Sequence, residues 1–242
     1  MNLCIDQGNS KTKIGIFDQD KLIDNFVVDN SDKNGILSLI TRHSIDKCII
    51  SSVISNNNEL IDEFKVKVPY VIELNHELKI PIVNRYLTPE TLGNDRLAAV
   101  VGASFLKPNS DILVIDAGTA ITYDFIDGNK NYLGGNIAPG INLRLRSLNE
   151  FTSKLPLVEP KNESPLIGNT TESALISGVI YGIAFEIDGY INELKIKYPQ
   201  LSTFLTGGST FYFVTKLKSA IFAERNLVLI GLNRILQYNV QK

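Results

Sequence analysis

Leu3-Cys4-Ile5-Asp6-Gln7-Gly8-Asn9-Ser10-Lys11-Thr12-Lys13-Ile14-Gly15-Ile16-Phe17 reads as a strand, a tight turn and a returning strand. Glycine at such a turn gives conformational freedom and lets a phosphate approach the backbone. Asn9 and Ser10 add side-chain donors, and Lys13 adds positive charge. Asp6 can meet a phosphate only through a cation, most simply the magnesium that accompanies ATP. A Walker loop would need Gly-Lys-Ser/Thr opening a helix, whereas here a strand follows. Taken alone, Asp-x-Gly-Asn in a hairpin is an ordinary turn.

The pattern returns nearly half the chain later. Ile112-Leu113-Val114-Ile115 is a buried strand, Asp116-Ala117-Gly118-Thr119 the turn, and Thr122 to Ile126 the returning strand. A third apolar strand, Thr203-Phe204-Leu205, runs into Thr206-Gly207-Gly208. The repeat suggests two similar α/β halves, and three glycine turns at strand ends, two of them preceded by Asp, resemble the nucleotide grip of the actin, Hsp70 and sugar-kinase superfamily. Lys107-Pro108-Asn109-Ser110 is the boundary, giving domains 1–108 and 109–242. A long helix is expected from Thr171 to Tyr198, and a short strand followed by a helix over Asn226 to Gln237.

The 242 residues are 44% hydrophobic and 21% charged, an ordinary globular composition. A net charge of −2 provides no concentrated basic face, so neither a nucleic acid nor an anionic membrane is expected as partner. A polyphosphate would have to be neutralised locally, by metal, lysine and backbone N–H groups. Cys4 and Cys48 lie in apolar runs and read as buried residues, with no disulfide framework or zinc site. No signal peptide and no apolar run of about 18 residues is apparent, so the cytoplasm is expected. His43 and His76 lie outside every motif and read as surface or structural.

Gly93-Asn94-Asp95-Arg96 precedes a helix of small apolar residues. An Asp there can cap the helix. It can also orient and deprotonate an alcohol during phosphoryl transfer. Arg96 beside it suits a carboxylate by forked hydrogen bonding. Arg144 and Arg146, on the helix after Gly134-Gly135, are either interface residues or solvated charges.

Taken in order, Asp6-x-Gly8-Asn9-Ser10-x-x-Lys13, Gly93-x-Asp95-Arg96, Asp116-x-Gly118-Thr119-Ala120-x-Thr122-x-Asp124, Gly134-Gly135-x-Ile137-x-Pro139-Gly140 and Thr206-Gly207-Gly208 resemble type III pantothenate kinases of the actin, Hsp70 and sugar-kinase superfamily. The resemblance implies an α/β fold of two RNase H-like (actin-like ATPase) domains, with mixed sheets flanked by helices and ATP in the interdomain cleft. It implies phosphorylation of pantothenate to 4′-phosphopantothenate, the first step of coenzyme A synthesis, by a homodimer. ATP, with Mg2+, would be held by Asp6, Gln7, Gly8, Asn9, Ser10, Lys11, Thr12, Lys13 and Thr119. Pantothenate would be held by Tyr86, Gly93, Asn94, Asp95, Arg96 and Thr171, with Asp95 as the general base. Asp116 would bind a monovalent cation, K+ or NH4+.

Two of these residues carry a second reading. Asn169 and Glu172 resemble a capping box, so Thr171 serves either the helix end or the substrate. Tyr86 is either substrate-binding or core. Two other functions also fit: an ATP-binding regulatory protein of the same fold without kinase activity, and a kinase for another small alcohol.

Overall fold

The computed structural model describes residues 1–8, 11–52 and 58–240. The first half runs β1 (Asn2–Gln7), β2 (Lys11–Asp18), β3 (Lys21–Asp29), α1 (Lys33–Arg42), β4 (Lys47–Ser52), α2 (Asn58–Lys67), β5 (Tyr70–Glu73), β6 (Val83–Asn84) and α3 (Asn94–Leu106). The second runs β7 (Ile112–Ala117), β8 (Ala120–Ile126), β9 (Asn131–Pro139), α4 (Ile141–Glu150), α5 (Thr171–Lys197), β10 (Ser202–Thr206), β11 (Phe222–Ala223) and α6 (Leu227–Val240). The chain forms two compact units, one of residues 1–108, 130–132 and 226–242, the other of residues 109–129 and 133–225.

In the first unit the sheet order is β3-β2-β1-β4-β5. β1 pairs antiparallel with β2 and parallel with β4, and β4 pairs parallel with β5. All six residues of β1 are buried, as expected of a central strand covered on both faces. One face packs Leu3, Ile5, Ile14, Ile16, Cys48 and Ile50 against Ile36, Leu39 and Phe64 of α1 and α2. The other face is covered by α6, which packs on β1, β4 and α3. Burial pushes the thiols of Cys4 and Cys48 up from their ordinary range, so both stay protonated.

The sheet order in the second unit is β11-β10-β7-β8-β9. Counted from the start of each unit, both sheets read third, second, first, fourth, fifth. In both the first strand pairs antiparallel with the second and parallel with the fourth. This is the RNase H-like arrangement expected for each half. α5 buries Leu175, Ile176, Val179, Ile180, Ile183, Ile187 and Ile191 at helical spacing against Leu113, Ile115, Tyr123 and Phe125 of its own unit.

Three expectations change. The division into 1–108 and 109–242 differs from the compact units at α6, whose apolar residues Leu229, Leu232 and Ile235 are buried within the first unit. No strand opens that last segment; helix begins at Leu227. An apolar stretch long enough to cross a membrane does exist: the best 18-residue window of α5 has mean hydropathy 1.4. Half of that window is buried within the protein, as in a core helix.

Candidate active site

Strand order brings Asp6 and Lys13 opposite one another, since Asp6 of β1 registers with Lys13 of β2 and with Ser51 of β4. Registered residues share a face of the sheet, so Lys13, Asp6 and Ser51 form one polar row. Asp6 is 9% exposed and Ser51 1%. The Gly8 N–H donates to the Lys11 carbonyl at 3.1 Å, closing the turn. Thr12 donates its hydroxyl to Asn30 at 2.8 Å, and the Asn30 amide donates to the Gly8 carbonyl at 2.9 Å. Lys11 pairs with Asp29 at 2.6 Å, and Gln7 accepts from Ser52 at 2.9 Å. The Gln7, Lys11 and Thr12 side chains therefore shape the turn, leaving Lys13 as the cation opposite Asp6. Asn9 and Ser10 lie outside the described residues.

Gly93-Asn94-Asp95-Arg96 opens α3, but Asp95 is not the cap. Gly93 occupies the cap position and Asp95 lies in the first turn, where its carboxylate accepts from the Arg96 N–H at 2.8 Å. A Cβ on Gly93 would stand 2.5 Å from that carboxylate, so glycine makes room for Asp95. Asn94 anchors the helix start by donating to the Leu74 carbonyl at 2.8 Å, and Leu74 N–H donates to Ile50 at 2.8 Å. The start of α3 is thus tied to the C-terminal ends of β4 and β5, the sheet edge near which Asp6 lies at the end of β1. Arg96, 7% exposed, lies 5.6 Å over the Tyr86 ring, which stacks on Tyr132 at 6.1 Å. Tyr86 and Arg96 are therefore brought together, with the guanidinium plane held by an aromatic platform.

In the second unit Asp116 is the penultimate residue of β7, registered with Thr122 of β8 and Thr206 of β10. The Gly118 N–H donates to Ala120 at 3.1 Å, and Thr119 is exposed at the turn. Gly207 has φ +95°, and a Cβ there would meet the Asp116 carboxylate and stand 2.6 Å from the Ala117 carbonyl oxygen. Only glycine allows that approach. Among the described residues, Ser51 and Thr122 are two of four with a buried hydroxyl lacking a hydrogen-bond partner. Each sits in register with the Asp of an Asp-x-Gly loop.

Thr171 opens α5, but the cap is Thr170. Its side chain accepts from Ser173 N–H at 3.1 Å, and the Ser173 hydroxyl accepts from Thr170 N–H at 2.9 Å. Asn169 and Glu172 do not form the capping box; Glu172 pairs instead with Lys161 at 2.7 Å. Thr171 is thereby left exposed, on the wall of a cavity of about 610 Å³ shared with Arg144, Leu148, Leu155 and Val179.

Full-length comparison decides what this arrangement belongs to. The family model described as type III pantothenate kinase matches residues 2–193. A type III pantothenate kinase of Phocaeicola vulgatus is 52% identical over 240 residues, which cover 99% of this chain and 99% of that one. The chain belongs to the type III pantothenate kinase family. A solved Campylobacter jejuni protein described as a Baf family transcriptional activator matches with TM-score 0.66 at 24% identity, over 99% of this chain and 100% of that one. A Listeria monocytogenes protein described as an N-acetylmannosamine kinase matches with TM-score 0.55 at 14% identity, over 98% and 99%. At such identities the likeness speaks to fold alone, that of the actin-like ATPases and sugar kinases.

The motifs read from this sequence do not contain Asn30, Ser51, Ser52 or Glu186. Asn30 and Ser52 reach the first loop only because β3 and β4 flank the hairpin, a contact across strands that no local spacing announces. Arg144 is not a solvated charge: it is bonded inside its own unit. Its Nε donates to the Pro139 carbonyl and its Nη2 to Glu186, each at 2.7 Å. The Tyr123 hydroxyl donates to the same carboxylate at 2.7 Å. Burial, then that hydrogen bond, push the Tyr123 phenol well above its ordinary range, so it stays a donor.

Proposed function

We propose that this chain transfers the γ-phosphoryl group of ATP to the primary hydroxyl of pantothenate, giving 4′-phosphopantothenate, the first step of coenzyme A synthesis. What carries the reading is the start of α3: a carboxylate beside a buried, aromatic-backed arginine, tied to the strand edge that bears Asp6. In the reaction the substrate oxygen bonds to the γ-phosphorus, the bond from that phosphorus to the bridging oxygen breaks, and the hydroxyl proton goes to Asp95. ADP leaves with the bridging oxygen. Arg96 holds the pantothenate carboxylate, with Tyr86, Gly93, Asn94 and Thr171 completing that site. The loop from Asp6 to Lys13, and Thr119, hold ATP.

The donors present suit the expected cations. Among the described residues no group of three or more His, Cys, Asp or Glu could hold a metal. Asp6 alone suits Mg2+, which keeps several waters and shares its ligands with substrate phosphates. When bound, it would neutralise charge developing on the phosphoryl oxygens. Asp116 with the partnerless Thr122 hydroxyl offers hard oxygens for K+ or NH4+, and a buried unpartnered oxygen is a reasonable mark of an ion or water. An assay with ATP, Mg2+, K+ and pantothenate tests the reading. Formation of 4′-phosphopantothenate is expected. ATP binding without turnover on pantothenate would favour the regulatory alternative, and turnover only on another alcohol would replace the substrate. Retention of Asp6, Asp95 and Asp116 together argues for chemistry over regulation.

Arg96→Lys is expected to raise the KM for pantothenate by about 10-fold or more with kcat little changed. Lysine keeps the charge and loses the fork and the stacking. An unchanged KM would remove Arg96 from the substrate.

The reading includes a homodimer in the cytoplasm, without nucleic-acid or membrane partners. Its support is the outer face of α5. Ala174, Gly178, Phe185 and Gly189 are exposed there, and a Cβ on Gly178, Gly182 or Gly189 would meet nothing within 4 Å. A helix-interior glycine costs about 0.8–1.0 kcal/mol relative to alanine, and among the described residues no side chain packs into the space beside Gly189. Close approach of a second copy would fill it. Gly189→Leu is expected to yield the monomer mass by light scattering without lowering helicity; a retained dimer would move the interface elsewhere.

A further inference from the structure

We propose that Arg144 is a positioning residue for the ATP loop, acting through one peptide plane. The inference rests on the reading of Thr119 as an ATP-binding residue. Pro139 C=O and Gly140 N–H belong to the same planar peptide group. Arg144 holds its oxygen end at 2.7 Å. At the other end, Gly140 N–H donates to the Thr119 carbonyl at 3.0 Å. Rotation of this plane would break both bonds at once, so the guanidinium sets the direction of the N–H that fixes Thr119.

The fit around that peptide is tight. A Cβ on Gly140 would land on the Gly118 carbonyl oxygen and stand 2.6 Å from that of Thr119. The Thr119 turn therefore lies directly against the Pro139–Gly140 backbone, and a small rotation there is transmitted to it. Arg144 is itself held. Glu186 of α5 takes its Nη2, and the Tyr123 hydroxyl takes the second oxygen of that carboxylate. The arginine is about one-fifth exposed and its partner about one-quarter, partial burial that favours a fixed geometry over a solvated pair. Tyr123 lies on β8, the strand that leaves the Thr119 turn. The network thus holds the Pro139–Gly140 peptide and β8, on either side of the Thr119 turn.

Arg144 also lines the cavity that Thr171 borders, which supplies the competing account, in which it serves pantothenate. Steady-state kinetics of the full-length protein separate the two. Arg144→Gln is expected to raise the KM for ATP about 10-fold while the KM for pantothenate stays within about 2-fold. Arg144→Lys should recover part of the loss, since an ammonium can still reach the Pro139 carbonyl. Glu186→Gln, which does not line the cavity, should reproduce a weaker form of the same ATP effect and guards against Arg144→Gln failing to fold. A rise confined to pantothenate, or no rise in either, would overturn the proposal. Thr119→Val serves as the control on the underlying reading. If it leaves ATP binding by titration calorimetry unchanged, the loop assignment has failed; if it weakens ATP while Arg144→Gln and Glu186→Gln do not, only the positioning claim has failed.

Discussion

Asp95→Asn is expected to lower kcat by about 10²–10⁴-fold, the range for loss of a positioned general base. The KM for pantothenate should change little, because the amide keeps an oxygen where the carboxylate was. Folding should be nearly indifferent, for a structural reason. Asp95 is not the helix cap, and its carboxylate accepts from the Arg96 N–H, a bond that the amide oxygen of the substituted side chain can also accept. The part of its contribution most exposed to loss is the negative charge in the first turn of α3, about 0.3–1 kcal/mol. Thermal melting and kinetics therefore separate the two roles. A variant that melts normally and turns over at a rate lower by about 10²-fold or more would assign the base. Turnover at the wild-type rate would leave Asp95 a helix-end residue and move the proton acceptor elsewhere.

Much of this was legible in the sequence, because the informative residues are local. Asp6 to Lys13 and Asp116 to Thr122 announce two hairpins by turn chemistry, and the hairpins fix the first two strands of each sheet. Long-range choices were not legible. Asn226 to Gln237 is apolar enough for strand or helix, and only packing on α3 and β1 settles it as α6 within the first unit. Gly134-Gly135 looks like a loop, yet both lie inside β9. Glycine is required there because a Cβ on Gly135 would land on the Tyr123 carbonyl of the neighbouring strand. The cap of α5 was misread by one residue, since Asn169-Thr170-Thr171-Glu172 contains two overlapping capping patterns. The hydroxyl of Ser173 decides between them by bonding Thr170. Arg144 was ambiguous for the same kind of reason: its partner Glu186 is distant in sequence and one helix away.

Gly231→Ala is expected to be strongly disruptive for so small a substitution. α3 and α6 cross at a pair of glycines, Gly102 and Gly231, with backbone against backbone. A Cβ on Gly231 would land on the Ala98 carbonyl oxygen, 2.6 Å from its carbonyl carbon and 3.0 Å from the Gly102 nitrogen. All three are backbone atoms, so no side chain can rotate away and one helix must shift. Overpacking of this kind costs about 1–3 kcal/mol, occasionally more. For a chain of this size each kcal/mol lowers Tm by about 2–4 °C, so a fall of about 2–12 °C is expected by calorimetry. The consequence extends to catalysis. Ala98 lies on α3 one turn after Asp95, and displacement of a reacting group by about 1 Å can cost about 10²-fold in rate. At a temperature where the variant remains folded, kcat should therefore fall with Tm, while ATP binding through the second-unit residue Thr119 changes less. Substitution of Gly178 by alanine is the comparison, because its Cβ would meet open space in the single chain and helix propensity alone predicts a small gain. A Gly231→Ala variant as stable and active as wild type would mean that α3 and α6 can part without cost. The packing of α3 would then not be what holds Asp95 in place.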